Sequence, residues 1–256
     1  MAGTYSRKPT LGFLRGLSRF RNSVEKRLFW RQHLAEAIDQ LTLYKRELTT
    51  PEMLLAVPLL FRGKGFYRSL DLKQNMNELL GLVTALREIE LRNVCEIGTF
   101  RGGTLFVWCQ IAAENAAVFS IDLPGGEFGG GYNERSLPLF GSFRKEHQVL
   151  HCLRGDSHSP SVRDRFAREL AGRELDFLFI DGDHRYTGVK QDYEDYSPFV
   201  RTGGVIALHD IVPRADEPTI EVWRFWNELK LRHRHREFVE SGCQRRRIGL
   251  GLIYKD

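Results

Sequence analysis

From about residue 70 onward the chain alternates short, nearly all-apolar runs with amphipathic stretches, and this alternation constrains its fold more than any other feature. The runs are Asn93–Ile97, Ala117–Asp122, Val149–Arg154, Leu175–Ile180, Val205–His209, Arg236–Glu240 and Ile248–Tyr254. Stretches such as Phe-Leu-Phe-Ile and Val-Ile-Ala-Leu leave no polar alternate positions, the pattern of strands covered on both faces. Helical patterns near 103–114, 134–147, 160–171, 187–199 and 218–231 lie between the runs. Such alternation predicts an α/β fold with a doubly wound, seven-stranded, mostly parallel sheet and right-handed crossovers. Only Ser241–Arg247, which includes Gly242, joins the last two runs, so a hairpin there makes the final strand antiparallel.

Residues 1–69 read differently. Leu14, Leu17, Phe20, Val24 and Leu28 recur at helical steps, and Trp30–Leu48 is helical in pattern as well. Pro51, Pro58, Gly63 and Gly65 then break the periodicity. The expected organisation is a helical appendage with a linker over residues 1–69 and one main domain over 70–256.

Charge locates rather than classifies. With 38 Lys and Arg against 33 Asp and Glu, the 256 residues carry a net +5. Residues 1–31 hold eight basic residues and one acid, a net +7, which leaves −2 for the rest. A second basic stretch, Lys230–Arg236 with His233 and His235, is joined by Arg245–Arg247 but has few interleaved aromatics. No nucleic-acid reading module accompanies either stretch, so nucleic acid is not the expected partner. The N-terminal basic helix is expected to dock as a lid or against a neighbouring subunit, which implies a homo-oligomer. Contact with an anionic membrane surface is the weaker alternative. The longest apolar run, Met53–Phe61, is interrupted by Pro58 and falls well short of the ~20 residues that cross a bilayer. The N-terminus lacks the continuous apolar stretch of a secretory signal. Cys95, Cys109, Cys152 and Cys243 form no CxxC pair, as expected of reduced thiols in a cytoplasmic protein.

The first strand of the main domain leads into Cys95-Glu96-Ile97-Gly98-Thr99-Phe100-Arg101-Gly102-Gly103-Thr104. In an open α/β sheet, ligands bind in the crevice beyond the carboxyl ends of the strands. Gly98 lets the backbone turn tightly and approach a ligand, while Gly102 and Gly103 open the following helix. A dinucleotide fingerprint would place glycine at 98, 100 and 103, and position 100 is phenylalanine. A phosphate-cradling loop would end in Gly-Lys-Ser/Thr, and no lysine is present. Glu96 suits a ligand with an ammonium group better than a pyrophosphate. The plainer reading is a tight strand–helix turn that holds no ligand.

The fourth strand runs into Ile180-Asp181-Gly182-Asp183-His184, and the fifth ends Ala207-Leu208-His209-Asp210. These neighbouring ends bring Asp181 and Asp210 together, and two close carboxylates call for positive charge between them. Oxygen ligands suit a hard divalent cation such as magnesium, which would bind a hydroxyl and lower its pKa. His184 stands where it can take that proton near neutral pH. Bland readings stay open: Asp183 as the cap of a helix beginning near Tyr186, and His184 as a solvated loop residue.

The Glu-x-Gly-x-x-x-Gly-Gly pattern of Glu96–Gly103 resembles the first motif of class I S-adenosylmethionine-dependent methyltransferases. The Asp-x-Asp-His stretch and the pair ending in Asp210 resemble the metal-dependent O-methyltransferases of the cephalosporin-hydroxylase and macrocin O-methyltransferase group. The resemblance spans about residues 72–256 and rests on the combination of motifs. It implies a Rossmann-like fold that binds S-adenosylmethionine, with Glu96, Gly98, Thr99, Gly102 and Gly103 around the methionine portion. It further implies Asp122 on the ribose hydroxyls and the Gly155-Asp156-Ser157 loop on the adenine side. Asp181 and Asp210 are implied as metal ligands, Asp181 also beside the cofactor, and His184 as general base. Relatives often have Glu-Asp where this chain has His209-Asp210. His209 is read as a further metal ligand or a substrate contact, and it removes one negative charge that would hold magnesium. The implied activity is O-methylation of a small hydroxylated acceptor: a sugar, a macrolide or another secondary metabolite. An RNA methyltransferase recruited by the basic ends, and a non-catalytic S-adenosylmethionine-binding partner protein, are the alternatives.

Three further expectations concern the surroundings. Leu123–Tyr132, with five glycines, is expected to be a lid over the crevice, with Phe128 and Tyr132 as contacts. Asp192, Glu194 and Asp195 read as a solvated helix face. Trp223 and Trp226 read as packing residues.

Overall fold

A computed structural model describes residues 25–125, 131–240 and 248–256. The expectations for residues 1–24, for Phe128 and for Arg245–Arg247 lie outside them. Seven strands form one sheet: β1 (Asn93–Ile97), β2 (Ala117–Asp122), β3 (Val149–Arg154), β4 (Leu175–Ile180), β5 (Val200–His209), β6 (His235–Phe238) and β7 (Leu250–Tyr254). Their order is β3-β2-β1-β4-β5-β7-β6. The first five pair in parallel, and β7 runs antiparallel to both β5 and β6. The doubly wound sheet with an antiparallel final strand is therefore the fold. β5 starts earlier than its apolar run because Val200 already pairs with Leu175. The register shifts before Val205 meets Phe177, and Gly203 takes a φ of +75° between them.

Strand periodicity divides the core in two. Val94, Val118, Phe177 and Phe179 face one side, and Cys95, Phe119, Leu178 and Ile206 face the other. Helices α1 (Trp30–Arg46), α2 (Pro51–Leu60), α3 (Met76–Leu86) and α4 (Gly103–Ile111) cover the first side. Leu41, Leu55, Phe61, Leu82 and Trp108 all pack into that one core. Helix α1, expected as part of an appendage, and α2, from the expected linker, thus share their apolar core with the sheet, and each leucine buried there contributes roughly 1.5–3 kcal/mol. The second side is covered by α6 (Pro160–Leu170), α7 (Tyr186–Tyr196) and α8 (Val222–Leu229), through Phe166, Val189, Tyr196, Phe225 and Trp226. Trp226 is a packing residue as expected. Its ring lies so close to Gly251 of β7 that a Cβ there would come within 2.6 Å.

Three local expectations need correction. Pro51 and Pro58 do not break the chain into a linker, because α2 spans both. Pro51 sits in the first turn, where its missing N–H is not needed, and Thr50 accepts the Met53 N–H as the cap. The helical pattern at 134–147 collapses to a 3₁₀ turn and the short α5 (Leu137–Gly141). Beyond it the chain turns, with Gln148 donating to the carbonyls of Cys109 and Ala113 at 2.9 Å each. Helix α3 has no counterpart in the expected elements. Asn75 caps it by accepting from the N–H groups of Asn77 and Glu78. No helix among the described residues is long and apolar enough to cross a membrane.

Candidate active site

The chain leaves β1 toward β2 on one side and reaches β4 on the other, so the sheet order reverses at the β1/β4 boundary. Ligands bind at such switch points. A cavity of about 620 Å³ opens there, walled by the carboxyl ends of β1, β2, β4 and β5. Gly98 follows β1 with a φ of +89°, and its N–H donates to the Ile121 carbonyl at 2.9 Å. Phe100 and Gly102 also adopt left-handed backbone, with φ of +50° and +80°. Three such residues in one short loop wind it back over the strand end.

Asp122, at the end of β2, holds this loop. Its Oδ2 accepts the N–H groups of Thr99 at 2.9 Å and Phe100 at 2.6 Å. Burial raises the Asp122 pKa against the pull of those hydrogen bonds. The carboxylate lines the cavity, as do Gly98, Phe100, Asp156 and Ser157. A carboxylate that can accept from ribose hydroxyls, beside a glycine-opened backbone with its own polar groups, is a set that fits S-adenosylmethionine. Glu96, Thr99, Gly102 and Gly103 are not lining residues. Thr99 Oγ1 pairs instead with Ser120 Oγ at 2.7 Å. Tyr132, expected as a lid contact, is buried in the core, with its ring 5.0 Å from that of Phe140.

Across the cavity stands the acidic centre. Asp181 Oδ2 accepts from Gln74 Nε2 at 2.7 Å, and its Oδ1 pairs with His209 Nδ1 at 2.9 Å. Asp210, in left-handed backbone with a φ of +60°, pairs through Oδ2 with His184 Nδ1 at 2.6 Å. A non-glycine residue held there is backbone strain of the kind that clusters at functional sites. Arg214 Nη2 lies 3.3 Å from Asp210 Oδ1 and 2.8 Å from Glu217. Burial opposes charge on His184, but the Asp210 hydrogen bond and the two carboxylates outweigh it and raise its pKa. Burial likewise opposes charge on His209, yet Asp181 and Asp210 push it up to about 10. Burial would raise Asp210; the His209 charge and the two imidazole hydrogen bonds instead hold it far below the carboxylate range. Asp181, His184 and Asp210 converge with ligand atoms all within 4.8 Å, a reach that fits a divalent cation.

Asp183 accepts the Arg185 N–H at 2.9 Å just ahead of α7, and the Arg185 guanidinium folds over it. Asp192 departs most from expectation. It is fully buried rather than solvated, accepting from Ser157 Oγ at 2.6 Å and lying 3.1 Å from His158 Nε2. Its helical spacing to Val189 and Tyr196, both buried, is the signal that places it inward. Gln74 and Arg214, also missed, carry no sequence signal of their kind.

The Asp192–His158 pair predicts a pH effect. The Asp192 hydrogen bond, against burial, raises His158 to about 9 in the fold. With an ordinary imidazole near 6.5 in the unfolded chain, the stabilisation is full below that value and is lost as pH rises through about 9. The urea midpoint of Asp192→Asn should therefore lag the wild type most near pH 6, and the gap should narrow toward pH 10. A gap that does not change with pH would refute the pairing.

Residues 95–211 match a protein family described as a methyltransferase domain. The uncharacterized protein y4gI of Sinorhizobium fredii (strain NBRC 101917 / NGR234) is 33% identical over 156 residues, 58% of this chain and 16% of that protein. The chain thus spans a small part of that relative's length. Among solved structures, the O-methyltransferase TomG of Streptomyces achromogenes, involved in tomaymycin synthesis and in complex with S-adenosylmethionine, superposes with a TM-score of 0.53 at 16% identity. The superposition covers 73% of this chain and 83% of TomG. An O-methyltransferase from Bacillus cereus, in complex with S-adenosylhomocysteine, gives 0.50 at 15% identity over 72% and 83%. Residues 95–211 thus match a methyltransferase domain, and the sheet has the fold of these O-methyltransferases.

Proposed function

We propose that the chain transfers the methyl group of S-adenosylmethionine to a hydroxyl of a small acceptor such as a sugar, a macrolide or another secondary metabolite. In this reading residues 70–256 are the catalytic domain. The observation that carries it is the His184–Asp210 pair, set in the cavity wall across from Asp122 and the glycine loop.

S-adenosylmethionine, when bound, supplies an electrophilic methyl group on a sulfonium. Gly98, Asp122, Asp156 and Ser157 line its side of the cavity, and Thr99, Gly102 and Gly103 shape the loop behind them. His184 holds Nδ1 toward Asp210 Oδ2, and its Nε2, 3.9 Å from Asp181 Oδ1, would accept the proton of the acceptor hydroxyl. Asp210 stabilises the imidazolium that results, and Arg214 balances the second oxygen of Asp210. The loop and the walls bring acceptor oxygen and methyl carbon into line and exclude water.

A second reading is favoured by the convergence of Asp181, His184 and Asp210. A divalent cation, magnesium among them, would be held by these residues with His209 beside them, and would act as a Lewis acid on the acceptor hydroxyl. His184 would then be a ligand rather than the base. Metal analysis and chelation separate the two: turnover that survives EDTA supports the base, and loss restored by magnesium supports the cation. Titration calorimetry tests the common part. Binding of S-adenosylmethionine in the micromolar range is expected, and no heat at millimolar cofactor would sink both readings.

A further inference from the structure

One buried acid takes no part in the chemistry above. Glu96 lies on β1 with its side chain directed to α4, where its Oε1 accepts from Trp108 Nε1 at 2.9 Å. It is fully buried and does not line the cavity. Its Oε2 is buried with no hydrogen-bond partner among the described residues. The titratable groups that face it are Cys95 on its own strand, Cys109 from α4, Cys152 from β3 and Asp181 from the end of β4. All four are acids, and no ion pair reaches Glu96 among the described residues. A buried carboxylate whose donors, the Trp108 indole and the Thr99 and Thr104 hydroxyls, are all neutral is disfavoured in such surroundings, whereas a carboxylic acid is not.

We infer that Glu96 acts as a neutral carboxylic acid that ties β1 to Trp108 and so fixes the glycine loop, instead of pairing as a carboxylate with the ammonium group of the cofactor. The mechanical logic is short. Trp108 belongs to the helix that Gly103 opens, so a bond from β1 to that indole sets the helix against the strand and fixes the turn between them. Burial pushes the Glu96 acid up to about 8, in keeping with this role. Glu96 is thus a positioning residue. Its effect on the cofactor rests on the proposed methyltransferase reading; its protonation does not.

Two measurements on the full chain test it. In the first, S-adenosylmethionine is titrated at pH 7 into wild type, Glu96→Gln and Glu96→Ala. Gln keeps the hydrogen-bonding shape without the charge, so its Kd should stay within about 3-fold of wild type, while Ala weakens binding about 10-fold or more. A Gln variant that loses binding by 10-fold overturns the inference, even if the Ala variant fails to fold. In the second, the indole ¹⁵N–¹H resonance of Trp108, assigned with Trp108→Phe, is followed from pH 5 to 9. It should stay flat up to about pH 7 in wild type and across the whole range in Glu96→Gln. A wild-type midpoint below about 6 overturns the inference whether or not the cofactor binds. If the wild type binds no S-adenosylmethionine, the functional proposal fails and the indole titration still decides the state of Glu96.

Discussion

Replacing His184 with alanine is expected to lower kcat by about 10²–10⁴-fold while the Kd for S-adenosylmethionine stays within about 2-fold. The imidazole sits 2.6 Å from Asp210 and lines the cavity, so its loss removes a proton acceptor without disturbing the loop that Asp122 holds. Asp210→Asn should cost less than His184→Ala, since the imidazole remains but its orientation and charge support weaken. The pH profile sharpens the test. His184 must be neutral to act as base, and the Asp210 hydrogen bond with the two nearby carboxylates raises its pKa, against burial, above 6.5. Activity should therefore rise with pH along a limb centred above that value, and His184→Ala should abolish the limb. A His184→Ala variant with more than a tenth of wild-type kcat would remove the residue from the mechanism. The measurement needs only an acceptor that the wild type methylates.

Gly98→Ala should be the most damaging change at the cofactor loop. An added Cβ would lie 2.0 Å from the Asp181 carbonyl oxygen and 2.8 Å from the Gly182 nitrogen, at a φ of +89°. The obstructing atoms are backbone, so no side chain can swing away. Left-handed strain and the overlap together should cost about 3–5 kcal/mol, read as a drop in urea midpoint. Because the clash is with the Asp181 peptide, the same substitution displaces the acidic centre. Cofactor binding and turnover should fail together in whatever fraction stays folded. A loss below about 1 kcal/mol would show that the loop is not held against β4 as described.

The parallel strands are legible in the sequence because burial on both faces leaves apolar runs that helices do not imitate at that length. The ends of those strands are legible for the same reason: Asp122, Asp181 and His209-Asp210 appear as polar residues terminating apolar runs, and the fold gathers them around one cavity. Residues that act through contacts from distant segments are not legible. Gln74 reaches Asp181 across more than a hundred positions of sequence, and nothing in its neighbourhood announces it. Asp192 is an intermediate case. The Asp-x-Glu-Asp run looks like a solvated face, but the spacing of Val189, Asp192 and Tyr196 gives the inward stripe. Helix α3 carried its own start signal in Asn75 and Glu78, obscured by Gly81 in its middle. Glu96 is the subtlest. Its motif invites a ligand-facing carboxylate, while the alternation of side chains along β1 points it at an indole.

The segment between α2 and α3 crosses the opening of the cofactor loop. A Cβ on Gly103 would meet the Asp71 carbonyl oxygen at 2.3 Å, Arg101 pairs with Asp71 at 3.0 Å, and the Lys73 ammonium stands 5.2 Å from the centroid of the Phe100 ring. Gln74 completes the crossing at Asp181. For anyone recombining this protein with a relative, the seam therefore lies near residue 70, where the sequence pattern changes, and leaves little room to move. A junction at Leu70 leaves the strap with the sheet, and the acidic centre keeps its amide partner. A junction moved only as far as Asn75 hands Asp71 and Gln74 to the other parent, and the recombinant inherits an intact sheet whose Asp181 answers to a foreign neighbour.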